Sequence, residues 1–113
     1  MHELSIIESI VDIILEEMPK HNLTRVTKVS LRIGDMRQVV PEAMQFGFEV
    51  VTKNTPLEGA DFLIEHIPIK GQCEKCKHEF LVQSWLDNCP RCEHPNIQII
   101  AGKELEIAEF EGT

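Results

Sequence analysis

Two pairs of cysteines, Cys73-x-x-Cys76 and Cys89-x-x-Cys92, with twelve residues between them, constrain this chain more than any other feature. Each spacing lets a tight loop aim two sulfurs at one point, and two such loops complete a tetrahedral four-thiolate shell. All four cysteines of the chain belong to this pattern. Pro90 stiffens the second loop. The spacer holds Phe80-Leu81-Val82 and Ser84-Trp85-Leu86, two β-prone runs expected to pair as a hairpin. From Gly71 to Gly102 large apolar residues are few, with Phe80 and Trp85 as the minimal apolar packing. Such a segment cannot hold a core of its own. Bound zinc is therefore expected to supply its folding free energy, on the order of 10–16 kcal/mol in small peptides. Paired disulfides, an iron–sulfur cluster and a thiol redox pair are the weaker uses of the same residues. His78 and His94 each lie two residues beyond a knuckle and read as loop histidines that could exchange with a thiolate.

The rest of the chain has the periods of ordinary secondary structure. Leu4, Ile7, Val11, Ile14 and Met18 recur at three- and four-residue spacing, with Ile10 and Leu15 widening the stripe. This predicts an amphipathic helix over Glu3–Met18, with Ser5 and Glu8 as a capping box unless the helix begins a turn earlier. Val29, Leu31 and Ile33 alternate with Lys28, Ser30 and Arg32, which predicts a strand over Thr24–Ile33. Pro41 suits the first turn of a second helix, Pro41–Lys53, with Val40, Met44, Phe48 and Val51 on one face. Further strands are expected at Asp61–Ile69 and Lys103–Phe110. The expected fold class is α+β: a small mixed three-stranded sheet with two helices on one face, plus an inserted zinc-ribbon-like lobe. Residues 1–70 form the body, completed by the C-terminal strand in 103–113. Residues 71–102 form the lobe, hinged near Lys70-Gly71 and Ala101-Gly102.

Charge narrows the function classes. Nineteen acidic against eleven basic residues give a net charge of −8. Phosphate backbones and anionic membrane surfaces repel such a chain. The alternative reading, a zinc ribbon acting as a nucleic-acid or protein interaction module, gains nothing from the lobe, whose own charge is −1. A closed four-cysteine shell leaves no open position for catalysis, and no Ser-His-Asp, phosphate-loop or dinucleotide-binding pattern is present. An enzyme is not expected. Neither a signal peptide nor a membrane span is expected at the acidic, interrupted N-terminal stripe. A reducing cytoplasm is the expected location, which favours metal over disulfides.

On their own, His2 and Glu3 are two ordinary terminal residues. Their chemistry permits more. A free α-amine, the amide nitrogen of residue 2 and its imidazole can close fused five- and six-membered chelate rings. Glu3 adds a backbone nitrogen or a carboxylate oxygen. Tetragonal nitrogen- and oxygen-rich sites suit Ni(II) or Cu(II). A large residue at position 2 is expected to leave Met1 in place as the source of the amine.

Several segments together resemble the HypA/HybF family of nickel metallochaperones for [NiFe]-hydrogenase maturation. They are Met1-His2-Glu3-Leu4-Ser5, Val29-Ser30-Leu31-Arg32-Ile33-Gly34-Asp35, Val40-Pro41-Glu42-Ala43 and the two cysteine pairs, in order along essentially the whole chain. The resemblance implies a transient Ni(II) site using Met1, His2 and Glu3, and a structural Zn(II) site using Cys73, Cys76, Cys89 and Cys92. It implies delivery of nickel to the hydrogenase large subunit with a HypB-type GTPase, and in some members service to urease maturation proteins. Monomer and homodimer are both compatible with it. One departure stands out. Some relatives carry an acidic residue linked to nickel shortly after the strand-ending glycine, whereas this chain reads Met36-Arg37-Gln38-Val39-Val40, with Asp35 and Glu42 only flanking.

Overall fold

The computed structural model describes residues 2–84 and 87–113; Met1, Trp85 and Leu86 lie outside the described residues. Helix α1 spans Glu3–Glu17 and passes through a 3-10 turn, Met18–His21, into strand β1, Val26–Gly34. A second 3-10 turn, Asp35–Arg37, leads to α2, Pro41–Thr52, and then to β2, Asp61–Ile67. Strands β3 (Lys70–Cys73), β4 (Glu79–Leu81) and β5 (Ile97–Ala101) follow, and β6, Leu105–Gly112, ends the chain's regular structure.

These strands form two separate three-stranded sheets, ordered β2-β1-β6 and β4-β3-β5. In the first, β1 lies parallel to β2 and antiparallel to β6, so the sheet is mixed. A parallel pair needs a crossover connection, and α2 provides it. The chain then builds the whole second sheet before β6 returns to the first. This is the α+β architecture expected of the sequence. The molecule is elongated, 54 × 26 × 17 Å, with a radius of gyration of 17.8 Å. A compact chain of this length has about 13 Å.

The core lies between the helices and the first sheet. Ile7, Ile10, Val11 and Ile14 of α1 meet Val29, Leu31 and Ile33 of β1 and Met44 and Phe48 of α2 in one buried cluster. Phe48 stacks on Phe62 with ring centroids 4.5 Å apart. Leu4, at the head of the expected stripe, is half-exposed instead. The capping box does not form: α1 starts at Glu3 after His2, and Ser5 already lies inside it. Pro41 does open α2, where its missing N–H costs nothing. Pro68 closes β2 two residues short of Ile69, because it has no N–H for the ladder.

Of the hairpin expected within the cysteine spacer, the described residues show the first arm, paired with β3. Phe80 and Leu81 lie in β4 opposite Gly71 and Lys70 of β3. The Asp87 carboxylate accepts the N–H groups of Gln83 and Ser84 at 3.1 and 3.0 Å. The Trp85-Leu86 part of the expected second arm, and the packing role given to Trp85, lie outside the described residues.

The strand returning from the second sheet is held by the end of β1 and the turn after it. Gly34 N–H donates to the Glu104 carbonyl at 2.8 Å, Met36 N–H to that of Gly102 at 2.9 Å, and Arg37 Nε to that of Lys103 at 2.8 Å. Approach here is close enough that a Cβ on Gly34 would lie 2.0 Å from the Gly102 oxygen. Gly34→Ala is therefore expected to lose at least about 2 kcal/mol of stability through backbone displacement. Thermal unfolding of the variant checks this, and an unchanged Tm would contradict it.

Candidate functional site

The four cysteines sit on two loops of the second sheet, and the loops repeat one backbone design. Cys76 N–H donates to Cys73 Sγ, and Cys92 N–H to Cys89 Sγ, each at 3.4 Å. Lys77 and Glu93 N–H donate to the Cys73 and Cys89 carbonyls at 3.0 and 2.8 Å. Cys73 and Cys89 N–H in turn donate to the carbonyls of His78 and His94, each at 2.9 Å. Lys77 and Glu93 both take the left-handed conformation at φ 65°, although neither is glycine. The two histidines thus serve the knuckles through their carbonyls. The ring of His78 stacks on Phe80, with centroids 6.0 Å apart.

Across the loops, Cys73 Sγ lies 3.5 Å from Cys92 Sγ, and Cys76 Sγ 3.6 Å from Cys89 Sγ. All four sulfurs lie within 4.8 Å of one another. A disulfide needs about 2.05 Å, so these are free thiols. Sulfurs bound tetrahedrally to zinc at about 2.3 Å stand about 3.8 Å apart, and the observed spacing fits that shell. The Cys76 amide holds the Cys73 thiol down to about 6 against the effect of burial. At Cys92 the His94 amide acts downward, but burial and the other three sulfurs push the thiol up to about 12. Four sulfurs this close cannot all ionise unaided. A divalent cation resolves the conflict, and an all-thiolate tetrahedral donor set suits zinc.

At the other candidate site, Met1 lies outside the described residues. His2 is exposed, and its carbonyl accepts the Ile6 N–H at 3.2 Å to open α1, while its side chain makes no capping hydrogen bond. Glu3 is half-buried, and its carboxylate accepts the Val40 N–H at 3.1 Å. That bond ties the start of α1 to the residue preceding α2. Its own amide and that of Val40 hold the Glu3 carboxyl below the usual carboxylate range. Asp35 faces His66, with Oδ1 3.9 Å from Nδ1, and Glu42 is exposed in the first turn of α2. Among the described residues the four cysteines are the only such cluster able to hold an ion, so His2 and Glu3 belong to none. The Glu3–Val40 bond was not legible beforehand, because it joins residues far apart in the chain through a backbone donor. The convergence of the sulfurs was legible from the CxxC spacing.

Fold and site together define a class: a small protein whose second sheet is organised around a four-thiol metal centre. The family is narrower. Residues 1–112 match the family described as "Hydrogenase/urease nickel incorporation, metallochaperone, hypA". The chain belongs to the HypA family. A hydrogenase maturation factor HypA from Geotalea uraniireducens is 41% identical over 111 residues, 98% of each chain. Another, from Chloroflexus aurantiacus, is 40% identical over 112 residues, again 98% of each. The solution structure of the Ni metallochaperone HypA from Helicobacter pylori aligns with a TM-score of 0.69 at 22% identity, covering 99% of this chain and 97% of that one. A second HypA solution structure reaches 0.75 at 22% identity, covering 100% and 97%. At that identity the two structures speak to the fold alone. Among the described residues no helix is long and apolar enough to cross a membrane.

Proposed function

We propose that the protein is a nickel metallochaperone that takes up Ni(II) at Met1, His2 and Glu3 and hands it to the large subunit of a [NiFe]-hydrogenase during maturation. The observation that carries this reading is the family match from the first residue to residue 112, which includes the His2-Glu3 opening. The position of His2 supports it. Its imidazole is exposed and is not used to cap the helix, so it is available to a cation. The Met1 amine, the His2 amide nitrogen and the His2 imidazole would close two fused chelate rings on nickel. Glu3 would add a fourth donor after giving up its contact with Val40, or donate through its amide nitrogen. Each amide nitrogen that binds nickel first loses a proton, and reprotonation gives the cargo a route off.

In this reading Cys73, Cys76, Cys89 and Cys92 hold a resident zinc ion. Zinc supplies no chemistry to the cargo: it closes the two knuckles and gives residues 71–102 their fold. Residues 1–70 and 103–113 form the nickel-binding body. The protein works in the cytoplasm as a monomer or homodimer, with a HypB-type GTPase and the hydrogenase large subunit as partners. Urease maturation proteins are further clients, and no reaction is catalysed.

The test is metal analysis with nickel titration of protein carrying an unblocked Met1, beside the same protein acetylated at its α-amine. One equivalent of zinc in both, and one of tightly bound nickel in the unblocked form only, is the expected result. Equal nickel uptake by both forms would remove the N-terminal chelate from consideration.

A further inference from the structure

Beside His2, α1 and β6 bound a groove of about 460 Å³, which continues into a second of about 670 Å³; Ile13 and Ile107 line both. The helix wall is a single stripe, Ser5, Ile6, Ser9, Ile10 and Ile13. The opposite wall is the unbroken run Leu105–Gly112. Alternate residues of a strand point to opposite faces, so consecutive residues line one groove only where the strand is met edge-on. Strand β6 is the terminal strand of its sheet, and its outer edge offers N–H and C=O groups that no described strand pairs. Natural edges are commonly blunted with lysine, proline, other charges or β-bulges. Leu105–Gly112 contains no lysine or proline; it has glutamates and a register shift at Ala108.

Charge decides what fits. Glu17, Glu106, Glu109 and Glu111 line the groove, and no lysine or arginine does. Lys28 lies 3.3 Å from Glu109, Arg32 3.6 Å from Glu106 and Lys20 3.2 Å from Glu17, whereas Glu111 has no ion pair among the described residues. A second copy pairing along this edge would bring β6 glutamates against their own kind, between two chains of charge −8. A cationic strand meets no such repulsion.

We propose that this groove takes an extended segment of a partner protein, with apolar residues alternating with lysine or arginine, as a fourth strand along β6. Its backbone pairs with the free edge, its apolar side chains lie against Ile6, Ile10 and Ile13, and its cations face the glutamates. The docking itself rests on the groove. Only its consequence, that the bound segment runs up to the nickel at His2, rests on the function proposed above.

The test uses the zinc-loaded, nickel-free full chain, so failure of the nickel assignment leaves it intact. The probe is a fluorescein-labelled peptide, acetyl-Lys-Ile-Arg-Val-Lys-Ile-Arg-amide, with a control in which glutamate replaces every lysine and arginine. Fluorescence anisotropy is expected to show saturable binding of the basic peptide and at least tenfold weaker binding of the acidic one. Ile13 is half-exposed, so Ile13→Lys leaves the thermal melt unchanged while weakening the basic peptide at least tenfold. Hydrogen exchange should slow in Leu105–Gly112 and not along β2, the opposite edge. Absence of saturable binding, equal binding of both peptides, or protection centred on β2 would overturn the proposal. So would concentration-dependent protection of β6 without peptide, which would make the occupant a second copy.

Discussion

Replacing His2 by alanine is expected to abolish stoichiometric nickel binding while zinc content and thermal stability stay as they were. The imidazole is one of the donors in the proposed chelate and the only one that closes the six-membered ring. Its loss also removes the anchor that favours deprotonation of the neighbouring amide. Removing an outer-shell partner of a metal ligand already costs roughly 10–100-fold in affinity. Losing a ligand and its ring should exceed that range. The fold has little at stake, because the exposed side chain does not cap α1. A change in stability within about 0.5 kcal/mol is expected of such a surface position. Isothermal titration with nickel, metal analysis and thermal unfolding measure the three quantities on one preparation. Retained nickel affinity would sink the N-terminal assignment. Loss of zinc or a lower Tm would show that His2 acts through the fold.

The contrast between the four cysteines and the proposed nickel ligands explains what could be read from the residues beforehand. The cysteine centre is local twice over: two-residue spacings fix each knuckle, and the sulfurs need only meet once. The helices and strands of the body were legible for a similar reason, since Ile7, Val11 and Ile14 or Val29, Leu31 and Ile33 repeat at a period that only one kind of element satisfies. What the pattern left out was decided over long distances or by single polar groups. The Asp87 carboxylate accepts the Gln83 and Ser84 amides, a contact that β propensity does not announce. Phe80 and Leu81 pair with Gly71 and Lys70, which lie outside the cysteine spacer. Nothing in the order of residues announced that Glu3 would bind the backbone of Val40, or that the turn Asp35–Arg37 would hold the returning linker. The nickel assignment rested on the resemblance, with chelate chemistry at His2 only permitting it, because among the described residues His2 and Glu3 belong to no cluster from which a site could be deduced.

Replacing Cys73 by serine is expected to release zinc and unfold the second sheet, yet leave the first folded at reduced stability. Cys73 is fully buried, and its backbone belongs to β3, so its sulfur joins the metal centre to the sheet itself. Metal binding contributes on the order of 10–16 kcal/mol in small zinc domains, and the few apolar residues between Gly71 and Gly102 cannot replace it. The first sheet has its own core under α1 and α2, with none of the cysteines in that cluster. It still depends on the second sheet for closure. β2 and β6 are joined only through the inserted segment, whose ends the pairing of Lys70 with Ala101 holds together. Once the insert unfolds, some 35 residues become a loose loop, and closing such a loop costs on the order of 3 kcal/mol before any constant term. The body should therefore melt at a lower temperature rather than collapse. Hydrogen exchange separates the outcomes: amides of β3, β4 and β5 lose protection in the variant, and in wild-type protein stripped by a chelator, while β1 and α1 keep most of theirs. Protection of β3–β5 without zinc would show a lobe that folds without metal. Loss at β1 equal to that at β3 would show a single cooperative unit, with the zinc centre holding the whole chain.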